Sequence, residues 1–459
     1  MIKNVSVLEE RKKSILDKGG ACSGCGGGSG AESNSIACDT TSVSGAVSQR
    51  ACVYSGARVV LNPITDAYHL IHGPIGCASY TWDIRGSLTS GPEIFRTSFS
   101  TDLRETDVIF GGEKKLASAI DQLAEKESAK LIFVYGTCIA GVIGDDIDAV
   151  CARAEKKHGI RVIPVKASGF SGTKSQGYKL ACDAIMQVIL PFKDVPEADG
   201  VNILGDYNLA GEMWIIKNYL KEIGINVIAT ATGDASFESL KKMPSARLNV
   251  VQCAGSSTYL ARRMAAEFGI PYVSVSFFGI SDTADSLLRI AGALGDRAAV
   301  KRAEAFIAAQ TRAAEAFIAP YRPGFKGKKA AIYVGGGFKA ISLIKQFNEL
   351  GIETVVVGTQ TGKEEDYEII SSLVGGDTVI LDDANPSELE EYMLLKGADI
   401  LVGGVKERPL AYKLGIAFCD HNHERRHALA GFEGVRNFTR EVNLSLNSPV
   451  WAYCGRECG

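Results

Sequence analysis

No stretch of this 459-residue chain approaches the roughly 20 consecutive apolar residues that a membrane-spanning helix needs. The N-terminal stretch MIKNVSVLEERKKSILDKGG likewise lacks the apolar run of a secretory signal. A surplus of one charge is missing too: the formal net charge of -3 removes the electrostatic case for nucleic acid or an anionic membrane as partner. H-E-x-x-H does not occur, and no Ser-His-Asp set can be assigned. These absences point to a cytoplasmic protein. Thiols are kept reduced in that compartment, so the 12 cysteines argue for metal ligation and ordinary buried thiols, not for disulfides.

What is present is ordinary for a globular chain: 46% hydrophobic and 22% charged residues. At roughly 150 residues per domain, the length suggests about three domains. Residues 1–50 are rich in Gly, Ser and Ala (GGACSGCGGGSGAESNSIACDTTSVSG) and poor in large apolar side chains, and they read as an arm or lid. The pair Cys22-x-x-Cys25 has metal-ligand spacing, but no second pair follows, and Cys38 is the other thiol nearby. From Val59 onward, short Val/Ile-rich runs alternate with helical patterns. KLIFVYGTC precedes GDDIDAVCARAEKKHGI and RVIPVKAS; VNILGD, NVIAT, LNVVQC and YVSVSF follow; then come AIYVGGG, ETVVVGT, TVILDD, DILVGG and IAFCDHN. This is βαβ grammar. It implies three doubly wound, Rossmann-like α/β domains with parallel sheets, at residues 51–198, 199–325 and 326–459.

Ligands of such sheets sit beyond the carboxyl ends of strands, near a point where the strand order reverses. Cys138, Cys253, Gly335, Gly336, Gly337, Lys406 and Asn422 all fall at or just after predicted strand ends, which suggests a cleft where the domains converge. The glycine run at 335–337 opens a helix and could offer amides to a phosphate or to the sulfides of a cluster. It completes neither G-x-x-x-x-G-K-[ST] nor G-x-G-x-x-G. Lys339 and Lys406 would add positive charge there, or else be solvated surface lysines. Cys253 reads either as a small buried hydrophobe or as a thiolate ligand, the latter favoured by the helix start behind it. Cys151, Cys182 and Cys419 read as packed thiols. His421 and His423 point to one side of a strand end and Asn422 to the other, so one set alone can face the cleft. His69 and His72 read as supports of the turn that carries Cys77.

Three further cysteines, Cys52 (RACVYSG), Cys77 (HGPIGCASY) and Cys138 (VYGTCIAG), lie too far apart for a local zinc knuckle and read as ligands gathered by the fold. Together with STDLRETDVIFGGEKKL, IGDD, SGFSGTKSQG, SFFGI and GGVKERPLAYKLGI, these segments resemble the nitrogenase component 1 superfamily over nearly all of the chain after the arm. The resemblance implies that Cys52, Cys77 and Cys138 supply one side of a 4Fe-4S cluster at the interface with a β-like subunit. It implies that Cys253 matches the cysteine that anchors the iron–molybdenum cofactor, while Asn422 falls where the anchoring histidine belongs.

The segment FCDHNHERRHALAGFEG resembles the α-like subunit of the cofactor assembly scaffold more than it does a catalytic subunit. By that resemblance the chain is a scaffold with at most weak reductase activity. An iron–sulfur–carbide precursor would be held at Cys253, in a pocket lined by Gly335, Gly336, Gly337, Lys339, Lys406 and Asn422, until molybdenum and homocitrate are inserted. The implied partners are a β-like scaffold subunit in an α2β2 assembly, a radical-SAM protein that donates the precursor, the nitrogenase iron protein, and apo-nitrogenase as acceptor. The alternatives are a catalytic nitrogenase α subunit, a scaffold for a vanadium cofactor, and a subunit like that of dark-operative protochlorophyllide reductase.

Overall fold

The computed structural model describes residues 14–19, 36, 51–82, 88, 97–126, 130–252, 254–421 and 426–452. Cys253, Asn422, His423 and the cysteines at 22, 25, 38, 454 and 458 lie outside the described residues.

One short strand, Ile15–Asp17 (β1), comes from the arm. The first sheet contains Ala67–His72 (β2), Ser98–Ser100 (β3), Leu131–Gly136 (β4) and Arg161–Lys166 (β5), all parallel, in the order β3-β2-β4-β5. The second contains Ala198–Leu204 (β6), Val227–Ala231 (β7), Ala246–Val251 (β8) and Tyr272–Ser274 (β9), in the order β7-β6-β8-β9 and again parallel. Lys329–Val334 (β10), Glu353–Thr359 (β11), Val379–Asp382 (β12), Ile400–Gly403 (β13) and Ala417–Asp420 (β14) make the third, in the order β1-β12-β11-β10-β13-β14. Parallel neighbours need crossovers that cover the sheet faces, which is why β4 reads LIFVYG and is buried at every position.

Each sheet reverses its strand order once. The chain leaves β2 for β3 on one side and returns to β4 on the other, so a crevice opens between the carboxyl ends of β2 and β4. The same reversal falls between β6 and β8, and between β10 and β13.

The first two sheets belong to one compact unit, residues 51–277 and 284–307, and share a hydrophobic core. At its centre the helix Lys174–Ile189 packs on Val53–Leu61 and on Ala254–Phe268. Gly56 and Gly177 let the first pair approach: a Cβ on Gly56 would lie 2.1 Å from the Lys174 carbonyl oxygen, and one on Gly177 2.1 Å from that of Val53. Cys182 is buried in this core and Cys151 in a second core cluster of the same unit.

The third sheet lies in the other unit, residues 1–50, 278–283 and 308–459. It is not wholly parallel, because β1 pairs antiparallel with β12, Ile15 opposite Leu381. A strand from a distant segment can join an edge this way without a crossover, and it covers an otherwise open row of backbone groups. Asp17 and Asp377 hold the buried Lys396 ammonium at 3.1 and 2.8 Å, and the Lys18 ammonium donates to the Ser371 carbonyl at 2.6 Å.

Candidate metal centre

Cys77 and Cys138 flank the reversal of the first sheet. Cys77 is the third residue of the helix Ile75–Trp82, which the Gly73-Pro74 turn starts directly after β2; its N–H donates to the Pro74 carbonyl at 3.1 Å. Cys138 opens the helix Cys138–Ile143 directly after β4, with Thr137 as N-cap. Cys52 is the N-cap of Val53–Leu61, and its backbone bridges to Thr173. All three thiols therefore stand at or near the start of a helix.

They are also electrostatic neighbours. Burial pushes the Cys77 thiol above its ordinary range, a hydrogen bond from the Thr137 hydroxyl works against this, and the Cys138 and Cys52 thiols push it up further. Gly169 stands between the other two: a Cβ there would lie 3.0 Å from Cys138 Sγ and 3.6 Å from Cys52 Cβ. The Gly169 N–H donates to Cys138 Sγ at 3.2 Å.

Among the described residues, no three His, Cys, Asp or Glu side chains converge as the ligands of a single ion would. A polynuclear cluster makes a different demand, because each thiolate binds a different iron and the sulfurs stand apart around a larger body. Three soft donors at helix starts, with a backbone amide already aimed at one sulfur, fit that group. Cys52 is exposed and the other two half-buried, so the set is open on one side. Exposed apolar side chains adjoin it in sequence, namely Ile75, Val142 and Phe170, the last 78% exposed.

The two histidines support the frame. His72 Nε2 contacts Asp145 Oδ2 at 2.8 Å and Nδ1 contacts Thr101 Oγ1 at 3.1 Å, while Asp145 Oδ1 accepts from the Gly112 N–H. His69 is fully buried, 2.8 Å from the Tyr135 hydroxyl and stacked on Phe133. Burial lowers the pKa of both.

At the reversal of the second sheet, Gln252 follows β8 and donates its N–H to the Leu204 carbonyl at 2.8 Å. Its side-chain amide is buried, 3% exposed, and has no hydrogen-bond partner among the described residues. In the other unit, Gly335, Gly336 and Gly337 follow β10, with Gly336 as N-cap of Gly337–Leu350. The Gly335 carbonyl accepts from the Thr361 N–H at 2.9 Å and from its hydroxyl at 2.6 Å. A Cβ on Gly337 would lie 2.4 Å from Asp366 Cβ. The Asp366 carboxyl is raised in pKa by burial. Lys339 donates to the His421 carbonyl, and His421 is buried against Phe278 and Phe438. Lys406 is exposed on the turn after β13, where Glu407 Oε2 accepts from the Gly404 N–H at 2.8 Å.

Sequence reasoning missed Gly169 as a sulfur partner, although it lies inside a motif that carried the resemblance. The His72–Asp145 pair left no local signal, since 73 residues separate its members.

A family model described as "Nitrogenase component 1 type Oxidoreductase" matches residues 52–447. The chain is 63% identical over 452 residues to "Nitrogenase iron-molybdenum cofactor biosynthesis protein NifE" of Clostridium pasteurianum, covering 98% of each. A protein of the same name from Methanosarcina barkeri is 53% identical over 461 residues, covering 97% of each. The solved structure "Nitrogenase Cp1 at pH 5" superposes with a TM-score of 0.84 at 31% identity, covering 96% of this chain and 95% of that one.

Proposed function

This chain belongs to the nitrogenase component 1 type oxidoreductase family, and from that premise we propose that it is the α-like subunit of a scaffold that holds and matures the iron–molybdenum cofactor precursor in nitrogen fixation. The observation that carries this reading is the end-to-end identity of 63% to a cofactor biosynthesis protein, against 31% to the nitrogenase structure. Asn422, at the position where the resemblance calls for a histidine, supports it. A scaffold must release its cargo. One thiolate with an amide opposite permits departure, whereas thiolate plus imidazole would retain the cluster.

In this reading Cys253 holds the precursor. Gly335, Gly336, Gly337, Lys339, Lys406 and Asn422 contribute to its pocket while molybdenum and homocitrate enter. Cys52, Cys77 and Cys138 hold a resident 4Fe-4S cluster, which when bound supplies a one-electron couple. The protein residues do the rest: the Gly169 amide donates to Cys138, and the His72–Asp145 pair fixes the turn after β2. The open side of the cysteine set and the exposed Ile75, Val142 and Phe170 suit a β-like subunit that completes the ligand shell in an α2β2 assembly. The radical-SAM precursor donor, the iron protein and the apo-nitrogenase acceptor follow from the same reading, as does a reducing cytoplasmic setting. No helix among the described residues is long and apolar enough to cross a membrane.

The test is the Cys253→Ser chain, purified anaerobically with its β-like partner from cells that make the precursor. Retained resident-cluster iron with lost precursor iron is expected. Normal precursor content would contradict the assignment.

A further inference from the structure

The buried amide of Gln252 is costly as it stands. A carboxamide carries two donor hydrogens and an acceptor oxygen, and leaving them unmet away from water is destabilising. Neither Nε2 nor Oε1 has a partner among the described residues. The strand supplies none: Gln252 follows β8 with its N–H on the Leu204 carbonyl, so its side chain continues the face of Leu248 and Val250, both apolar and buried. The same sheet does serve a buried amide elsewhere. Asn202 Nδ2 donates to Asn249 Oδ1 and to the Met243 carbonyl, both at 2.9 Å.

The position of Gln252 supplies a reason. It stands at the reversal between β6 and β8, where ligands of such sheets bind, and it directly precedes Cys253 in the chain. Two buried hydroxyl oxygens at this end of the sheet are likewise unmet among the described residues. One is Thr232 Oγ1, directly after β7, and the other is Thr258 Oγ1, in the second turn of the helix Ala254–Phe268. Polar atoms left open at a ligand-binding strand end point to an occupant that meets them.

We propose that the Gln252 side chain is a cargo contact, its Nε2 donating to a sulfide of the iron–sulfur precursor. This rests on the reading of Cys253 as the residue that holds that precursor. A sulfide is an anionic acceptor, so a bond to it from a buried amide is stronger than one between neutral groups. The donor itself is uncharged, and it adds hold without the tight pairing that a lysine or arginine would bring. That suits a cargo that must leave. Retention and stability are then coupled with opposite signs: the amide burdens the empty chain and is relieved when the precursor arrives.

The test uses the complex with the β-like partner, purified anaerobically from cells that make the precursor and from cells that lack the radical-SAM donor. Precursor iron, the excess of the first preparation over the second, is followed as it is lost to a ferrous chelator. Gln252→Leu should lose it about tenfold faster than the unaltered complex, as expected for one missing bond to a charged acceptor. It should keep its resident-cluster iron. In the precursor-free form its urea midpoint should be no lower than the unaltered one, because an apolar group replaces an unmet polar group of similar size. A glutamine with a purely structural role would give a lower midpoint, and that result overturns the proposal. So does an unchanged rate of loss, which would mean that water alone serves the amide. If leucine prevents assembly, Gln252→Ala is judged on the rate of loss alone. Precursor held as firmly by Cys253→Ser as by the unaltered complex would instead defeat the cysteine assignment, and this inference with it.

Discussion

Residue 169 must be glycine if the cysteine set is to hold a cluster. A methyl group there would lie 3.0 Å from Cys138 Sγ, tighter than van der Waals contact, and a sulfur tied to iron cannot retreat. Gly169→Ala is expected to lower iron content while leaving the circular dichroism unchanged; full iron occupancy would show that the sulfur has room. The same scale explains an acid sensitivity. Burial first, and then Arg58, keep His69 well below the usual 6.5, and burial also lowers His72 even though Asp145 pulls the other way. Between about pH 6.5 and these depressed values the unfolded chain binds protons that the folded chain refuses, so stability is lost as pH falls through that window. His69→Phe should shallow the loss, read as the urea midpoint at about pH 7.5 and about pH 5.5. An unchanged slope would mean that His69 is protonated in the fold. Asp366 and Glu407, raised by burial, act in the opposite sense above the ordinary carboxylate range, which is why the variant is compared with the unaltered chain.

Among the elements, the helices Val53–Leu61 and Lys174–Ile189 carry the most weight for the site, because the first begins at Cys52. Their backbones touch at Gly56 and Gly177, so Gly177→Ala must push them apart. A cost of about 1–3 kcal/mol is expected from overpacking, together with a drop in cluster iron as Cys52 moves. Loss of stability with full iron would separate the crossing from the ligand. In the other unit, β1 ties the arm to the third sheet. Burial works against the Lys396 charge, but the Asp377 and Asp17 carboxylates outweigh it and raise its pKa. Asp17→Ala leaves one of the two partners and should cost about 1–2 kcal/mol in chemical denaturation; no loss would mean that β1 is held by its ladder alone. Short Val/Ile runs made the parallel strands legible. β1 was not, because Ile-Leu-Asp is three residues long inside a stretch whose composition reads as an arm, and its partner strand lies more than 360 residues away.

For the molecule as a whole, the three doubly wound sheets and the family could be read before any coordinates, since strand periodicity and motif spacing are local properties of the chain. Cys77 and Cys138 lie near each other because β2 and β4 are adjacent across a reversal, and Cys52 is brought to them by its bridge to Thr173. The donors that surround them were not legible. Thr137 reaches the His72 carbonyl only because β4 ends beside β2, and Gly169 reaches Cys138 only because β5 ends beside β4. Such contacts are created by pairing and leave no spacing in the sequence. Scaffold and catalytic subunit share this frame, so the distinction rests on what is done with the cargo. The most direct measurement takes the complex with its β-like partner, supplied with iron protein, MgATP, reductant, molybdate and homocitrate, and follows acetylene reduction with and without cofactor-deficient nitrogenase. Activity that appears only when that acceptor is present is the predicted result. Comparable activity without it would contradict the account and make this chain a catalytic subunit.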